Sequence, residues 1–182
     1  AWLINFTNPS GMVTEAVIKY GKWDRCIGLC NVPTIAMMKE PIALNVDPNE
    51  LIYQFVGLNH FHWLKVYDKD GNELTSKVID AMLDGKDVGL PANINNVPFF
   101  GEQIREMNMI PCGYHRYYYR QQEMLEHSLM EYETIGTRGQ QVKETENKLF
   151  ELYKNPNLDH KPEELSKRGG AYYSDAACEC IN

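Results

Sequence analysis

The sequence contains no apolar run that reaches the ~18 residues of a membrane-spanning helix. It also has no block of basic residues, because 18 Lys and Arg stand against 25 Asp and Glu for a net charge of −7. Nucleic-acid-binding domains usually carry a basic patch, often with interleaved aromatic residues, and no such patch occurs here. We therefore expect neither a membrane protein nor a nucleic-acid-binding protein.

Cysteine is scarce and irregularly placed. The five cysteines are Cys26, Cys30, Cys112, Cys178 and Cys180. An odd number without regular spacing is untypical of a disulfide framework and favours a reducing compartment. Cys178 and Cys180 do not form a CxxC motif, and we interpret them as two thiols on a helix.

The sequence has no GxGxxG motif, so the glycine-rich turn that holds the phosphates of a dinucleotide is absent. The chain begins inside an apolar stretch, and a helical pattern is still running at Ile181. We therefore expect this sequence to be an internal piece of a longer protein.

The first part of the chain alternates between strand and helix patterns. Residues 2–7 and 25–29 predict strands, whereas residues 11–20 and 34–40 predict helices. Pro33 fits the first turn of the second helix, where proline is tolerated. This order is typical of the end of a doubly wound sheet.

The pattern changes after Asp47. Further strands are predicted at 51–56 and 62–68, with a hairpin turn at Asp70-Gly71, and residues 85–98 form a loop that we interpret as the rim of a site. The predicted helices are 75–84, 101–108, 114–132, 138–154, 162–168 and one from about 172. We predict an α/β (α+β) fold: residues 1–45 form the tail of a Rossmann-like sheet, and residues 46–182 form a β-hairpin followed by a mostly helical C-terminal domain.

Three short polar runs each follow an apolar stretch. They are Asn8-Pro9, Cys30-Asn31-Val32-Pro33 and Gly57-Leu58-Asn59-His60-Phe61. Ligands bind at the carboxyl ends of neighbouring strands in α/β sheets, so Asn8, Cys30 and His60 could share one site, and a thiol with an imidazole suits a borderline-soft divalent metal. Taken alone, however, Cys30 is more typical of a buried apolar cysteine and His60 of a hydrogen-bonded core imidazole.

Other candidates also have ordinary explanations. Asn31 fits a polar residue at a helix start, and the rings of Tyr114-His115-Arg116-Tyr117-Tyr118-Tyr119 fit a helix packed on a core. A tyrosine acts as a base only beside a cation, because its pKa is near 10. The planar fork of Arg138 suits a phosphate, although a solvated arginine at a helix start is the alternative.

The order of these runs, ending in Gly169–Asp175, resembles glycoside hydrolase family 4 along essentially the whole chain. Asn31 after Cys30 resembles the 6-phospho-β-glucosidases of that family, whereas its 6-phospho-α-glucosidases carry Asp there. Family members have an N-terminal Rossmann unit with a glycine-rich loop. The resemblance therefore implies that the NAD-binding residues lie upstream of this sequence.

The resemblance also implies roles for individual residues. Cys30 and His60 would bind manganese or a similar divalent metal, while Asn8 and Asn31 would contact the sugar. Tyr114, the first tyrosine of its run, would be the catalytic base.

Two further assignments depend on the same motifs. Tyr118 is the alternative base, because helical phase could favour it. Arg138 would hold the phosphorylated substrate, and Arg116 is a second candidate for that role.

The activity implied by the resemblance is hydrolysis of 6-phospho-β-glucosides, such as phosphorylated cellobiose, by a route outside the two-carboxylate scheme. Nicotinamide oxidises C3, the base removes the C2 proton, the aglycone leaves from C1, and water and then hydride are added back. The resemblance implies a cytoplasmic homo-oligomer that acts on phosphorylated disaccharides, and this piece alone would be inactive. The alternatives are the substrate domain of an NAD-dependent dehydrogenase and a non-catalytic metal-binding or assembly module.

Overall fold

The computed structural model describes residues 1–89, 94, 96–168 and 173–181. It confirms a mixed α/β fold with two small sheets and a mostly helical second half. The predicted loop at 85–98 and the run Gly169–Asp175 lie partly outside the described residues.

The first sheet consists of two short parallel strands, β1 (Leu3–Asn5) and β2 (Cys26–Gly28). Helix α1 (Ser10–Lys19) connects them, as the alternating pattern predicted. The strands are shorter than predicted, although the Leu29 N–H donates to the Asn5 carbonyl and extends the pairing by one bond of 3.0 Å. The polar segments that follow β1 and β2 therefore leave the sheet at the same edge.

Helix α2 (Asn31–Leu44) follows β2 and is longer than the predicted 34–40. Pro33 lies in its first turn, where the missing N–H has no helical acceptor to lose. Pro41 lies inside the helix, where a proline removes one backbone hydrogen bond. The helix nevertheless continues past it, and Glu40 and Pro41 are both buried there. The helix ends where Asn45 takes the left-handed conformation with φ 56°.

The second sheet has the order β3-β4-β5 and is antiparallel. Strands β3 (Leu51–Leu58) and β4 (Phe61–Asp68) form a hairpin with a two-residue turn, so the predicted strands continue into the polar run between them. Strand β5 (Ile110–Pro111) was not predicted, because two residues are too few to show a pattern. The other edge of β3 has no strand partner among the described residues.

Gly57 allows the two strands of the hairpin to approach closely near the turn. It has φ 123°, a region that side chains other than glycine rarely adopt. A Cβ atom at this position would collide with the carbonyl oxygen of Phe61 on the opposite strand. The glycine of the predicted motif thus has a backbone role and shapes the turn that carries His60.

The main core lies between β4, α3 (Thr75–Leu83) and α4 (Gly101–Met107). The Thr75 hydroxyl accepts a hydrogen bond of 3.1 Å from the Val66 N–H and fixes the start of α3 against the strand. The buried apolar side chains of this core are Leu64, Val66, Val78, Ile79, Ile104 and Ile110. Full burial of each such side chain contributes roughly 1.5–3 kcal/mol.

The second half is mostly helical, as predicted. Its helices are α5 (Arg116–Tyr119), α6 (Gln121–Thr134), α7 (Arg138–Tyr153), α8 (Glu164–Arg168) and α9 (Tyr173–Ile181). A capping box between Thr137 and Gln140 starts α7. No helix in the described part of the chain is long and apolar enough to cross a membrane.

The single helix predicted at 114–132 is interrupted at Arg120, which has φ −131° and ψ 41°. The Arg120 guanidinium lies 4.4 Å from the centre of the Phe100 ring and donates to the Pro98 carbonyl. These contacts with the preceding loop hold the residue out of the helical path. Because these contacts come from a distant segment, the local sequence pattern does not indicate that the helix breaks at Arg120.

Glu40 is an unexpected polar residue inside the protein. Its side chain on α2 is 0% exposed, and neither carboxyl oxygen has a hydrogen-bond partner among the described residues. Burial raises the pKa of this carboxyl to about 8. Burial, together with the Glu40 charge, also raises the pKa of the Tyr53 hydroxyl. Glu40 is therefore a neutral acid at pH 7.

We expect Glu40→Gln to raise the unfolding free energy at pH 8.5 and to change it little at pH 4.5. The carboxyl pKa is 4.5 ordinarily and about 8 in the folded protein. The contribution of protonated Glu40 to stability is therefore fully present below about pH 4.5 and is lost as the pH rises through 8. The change in pKa from 4.5 to about 8 corresponds to at most about 5 kcal/mol, since one pKa unit corresponds to about 1.4 kcal/mol, and the neutral amide should recover the greater part of it. Urea unfolding at both pH values measures the effect.

The matched control for this measurement is Glu133→Gln on the exposed side of α6. It removes the same charge from a solvated position and should leave the pH dependence of unfolding unchanged. An equal gain in stability from Glu40→Gln at pH 4.5 and pH 8.5 would show that Glu40 is not a buried titrating group.

Candidate metal and substrate site

Cys30 lies at the junction between β2 and α2. It is the N-cap residue of α2, with extended backbone angles of φ −125° and ψ 142°, and its side chain is partly buried. The parallel pairing of β1 with β2 brings the segment after Asn5 to the same edge of the sheet. The thiol therefore stands where the first sheet ends, as the sequence predicted.

His60 reaches the same place by a different route from the predicted one. It does not follow a strand of the first sheet but forms the tip of the β3–β4 hairpin in the second sheet. Its φ is 64°, an uncommon conformation for a residue other than glycine. The turn directs the imidazole at Cys30, and the distance from Nε2 to Sγ is 3.4 Å.

The geometry of this pair fits a metal ion. Two ligands at typical Zn–S and Zn–N lengths of about 2.3 and 2.0 Å, separated by 90–110° at the metal, would lie about 3.0–3.5 Å apart. Burial lowers the pKa of His60 and favours the neutral imidazole that binds metals. No cluster of three or more His, Cys, Asp or Glu side chains accompanies the pair in the described residues, so other coordination positions would remain for substrate oxygens or water.

Tyr114 lies directly against the His60 ring. The two ring centres are 4.1 Å apart with an angle of 19° between the planes, so the rings are stacked. Tyr114 belongs to a 3₁₀ turn, Gly113–His115, that precedes α5. Its ring also packs on a small cluster of buried side chains made of Ile94, Val97 and Met124.

Tyr118 occupies a different position. Its ring contacts Phe61 edge-on with 4.8 Å between ring centres, and the side chain is 55% exposed. Tyr114 is therefore the tyrosine that touches a candidate metal ligand, whereas Tyr118 packs one residue further along the hairpin. The assignment of either as a base stays a prediction.

The two candidate sugar-binding asparagines lie at the starts of helices α1 and α2. Asn31 is the first residue of α2, immediately after Cys30, and Asn8 is an exposed residue before Pro9 at the start of α1. The sequence analysis missed Asn5, whose buried amide donates to the Ser10 carbonyl and the Thr14 hydroxyl at 3.2 and 3.1 Å. Asn5 thus fixes the turn that carries Asn8.

An open groove of about 850 Å³ lies beside Cys30. Its walls include Ser10 and Thr14 of α1, Gly28 at the end of β2, and Asn59 of the hairpin turn. Helices α1 and α2 both begin at this groove, and the amino ends of helices favour anionic groups. The groove can therefore accept a ligand that carries hydroxyl and anionic groups next to the thiol.

Arg138 lies at the start of α7. One nitrogen of its guanidinium donates to the carbonyls of Lys167 and Arg168 at 3.1 and 3.0 Å, at the end of α8. The structure thus shows a bond between helices for this side chain. Its predicted role in substrate binding stays a prediction.

Arg116 was the second candidate for the phosphate, but its side chain is 5% exposed and occupied within the protein. Its guanidinium donates to the Val97 carbonyl at 2.7 Å and to the Asn96 side chain at 3.1 Å, and it lies 4.1 Å from the Phe99 ring centre. Burial lowers its pKa to about 10. The structure therefore favours attachment of the loop at 96–99 as the role of Arg116.

His62 is a buried residue of β4 that also lines the groove beside Cys30. It is 7% exposed on the core side of β4, where its ring meets Phe55 edge-on at 5.3 Å. Burial, followed by the neighbouring His60, lowers its pKa. His62 is thus a core residue that forms part of the groove wall.

The chain is similar to known proteins in both of its parts. The profile for "Family 4 glycosyl hydrolase C-terminal domain" matches residues 55–182, and "Family 4 glycosyl hydrolase" matches residues 1–45. The chain is 49% identical over its whole length to a probable 6-phospho-beta-glucosidase of Bacillus subtilis and 45% identical to the 6-phospho-beta-glucosidase of Escherichia coli. It spans 41% of the length of each.

A solved structure resembles the chain over its full length. This is the 6-phospho-beta glucosidase of Thermotoga maritima with manganese, NAD+ and glucose-6-phosphate, which matches with a TM-score of 0.77 and 33% sequence identity. The match covers 100% of this chain and 40% of the Thermotoga chain. The similarity therefore extends from sequence to fold.

Proposed function

Because the chain belongs to family 4 of the glycosyl hydrolases, we propose that it is part of an enzyme that hydrolyses 6-phospho-β-glucosides such as phosphorylated cellobiose. The observation that carries this proposal is the cluster of Cys30, His60 and Tyr114, with a thiol–imidazole distance of 3.4 Å and a tyrosine ring stacked on the imidazole. Relatives of 49% and 45% identity that are 6-phospho-beta-glucosidases support the substrate class.

Asn31 supports the β-linkage. The residue lies next to Cys30 at the start of α2, and an amide can orient a sugar hydroxyl but cannot protonate a leaving group at neutral pH. An aspartate there, as in the α-type members of the family, would add a carboxyl group to the site. With asparagine at position 31, the site has no carboxyl group there that could protonate the leaving group.

In the proposed reaction each residue has a separate task. When bound, NAD would supply oxidation at C3 of the sugar, and a divalent metal on Cys30 and His60 would hold sugar oxygens and acidify the C2 proton. Tyr114, as the phenolate, takes that proton on its oxygen; the aglycone leaves from C1 with a proton from solvent, and water and then the hydride are added back to the sugar. Asn8 and Asn31 orient the sugar ring, and Arg138 binds the 6-phosphate as a planar donor.

The proposal also includes the cellular location and the assembly of the enzyme. The substrate is a phosphorylated disaccharide, a product of uptake coupled to phosphorylation, and this origin supports a cytoplasmic enzyme. Assembly as a homo-oligomer is a separate part of the proposal. This chain by itself would be inactive, because it has no GxGxxG turn on which the NAD phosphates could be held.

We expect the full-length protein to release the aglycone from a chromogenic 6-phospho-β-glucoside only when NAD and manganese are both present. The α-anomer and the sugar without its phosphate should react at least about 100-fold more slowly, since each loses an interaction specific to the site. A parallel measurement at 340 nm follows NADH.

The outcomes of this assay separate the candidate functions. Product release without net NADH is the expected result, because the hydride returns to the sugar. Accumulation of NADH without release would indicate a dehydrogenase, and release that does not need NAD would exclude the proposed reaction.

A further inference from the structure

His115 is an imidazole buried among aromatic rings. Its side chain is 0% exposed, and neither ring nitrogen has a partner in the described part of the chain. Burial lowers its pKa to about 4, so the ring is neutral. An unpaired polar ring in a core costs free energy relative to an apolar ring, so the ring nitrogens of His115 do not stabilise the core.

Aromatic rings enclose His115. The centre of its ring is 4.7 Å from that of Phe61, 4.6 Å from that of Trp63 and 5.8 Å from that of Tyr119. Phe61 and Trp63 belong to β4, whereas Tyr119 belongs to α5. His115 therefore joins the hairpin to the tyrosine-rich turn.

Two ring contacts join the hairpin to the tyrosine-rich turn, and they involve consecutive residues in both segments. Tyr114 stacks on His60, and the next residues along both segments, His115 and Phe61, also pack together. Backbone bonds tie the segments as well: the His115 N–H donates to the Cys112 carbonyl, and the Cys112 N–H donates to the His62 carbonyl. The 112–115 backbone and the His115 ring thus both attach the turn that carries Tyr114 to the hairpin strand β4.

We infer that His115 is a positioning residue that holds the Tyr114 ring against His60, so that the base and the metal ligand keep one fixed arrangement. The inference rests on the proposed function in that Tyr114 is taken as the base. The ring needed at position 115 is a flat one that fills the space between Phe61, Trp63 and Tyr119. Its ring nitrogens contribute little, because they bond to nothing in the described structure.

The test compares His115→Ala, His115→Phe and the control His127→Ala in the full-length enzyme. His127 on α6 is a partly buried imidazole outside the ring cluster, and its Nδ1 likewise has no partner among the described residues. His115→Ala should lower kcat at least about 10-fold, because small misplacements of a catalytic group are costly, and should change KM and the manganese Kd less than 3-fold. His115→Phe should recover most of kcat, and His127→Ala should leave it unchanged.

A second readout does not need activity. With 3-fluorotyrosine at position 114, the wild type and His115→Phe should each give one sharp ¹⁹F resonance, and His115→Ala should give a broadened or divided one. Unchanged kcat and an unchanged resonance in His115→Ala, measured below its melting temperature, would overturn the inference. If wild-type protein lacks glucosidase activity while the resonance behaves as expected, the proposed function fails and the positioning of Tyr114 stands.

Discussion

Tyr114→Phe in the full-length enzyme should lower kcat by about 10²–10⁴-fold, the usual cost of losing a positioned acid–base group. The phenyl ring keeps the stack on His60, whose ring centre is 4.1 Å away, so substrate affinity and manganese binding should change little. The proton on C2 of the substrate should also stop exchanging with heavy water. NMR detection of this exchange measures the base step separately from the later addition of water.

Tyr118→Phe is the matched control for this substitution. Tyr118 belongs to the same aromatic run but contacts Phe61 and is 55% exposed, so removal of its hydroxyl should leave C2 exchange intact. Exchange that persists in Tyr114→Phe and disappears in Tyr118→Phe would transfer the role of base to Tyr118. Loss of folding stability in Tyr114→Phe would instead favour the interpretation of Tyr114 as a core ring.

Cys30→Ser and His60→Asn should each weaken manganese binding by more than about 100-fold and abolish metal-dependent activity. Residues that only support metal ligands contribute 10–100-fold to affinity, and loss of one of two protein ligands should cost more. Asparagine is chosen at position 60 because it tolerates the left-handed backbone that His60 adopts. The hairpin should therefore keep its turn while losing the imidazole, and titration followed by the EPR signal of free manganese gives the affinity.

The controls for metal binding are Cys178→Ser and His160→Asn. Cys178 is an exposed thiol on α9, and His160 is an exposed imidazole beside Asp159. Neither substitution should change the manganese Kd. Retention of wild-type affinity in Cys30→Ser or His60→Asn would exclude the thiol–imidazole pair as the metal site.

The sequence predicted the meeting of Cys30 and His60 but attributed it to the wrong element. It placed both residues at the carboxyl ends of neighbouring strands, whereas His60 lies at the tip of an antiparallel hairpin. Glycine and asparagine before His60 indicated a turn, but the register of β3 against β4 depends on side chains along both strands and on the core beneath them. A motif can thus identify a site while leaving its scaffold undetermined.

Long-range contacts explain the remaining differences. Arg116 and Arg120 follow the pattern of an uninterrupted helix, yet both guanidinium groups bind carbonyls of the loop at 96–100. Glu40 fits the polar side of a helix, although the fold buries it completely. In each case a segment more than ten residues away decides the environment, and local patterns do not contain that information.

The outer edge of β3 has no strand partner among the described residues, and this matters when the chain is prepared by itself. The strand Leu51–Leu58 has eight residues without a single charge, and Ile52 and Val56 are 50% and 52% exposed. An uncharged edge strand is a template on which other copies add as further strands, the first step toward cross-β aggregation. A lysine at position 52 or 56 would act as a gatekeeper there, and neither position belongs to the cluster of Cys30, His60 and Tyr114.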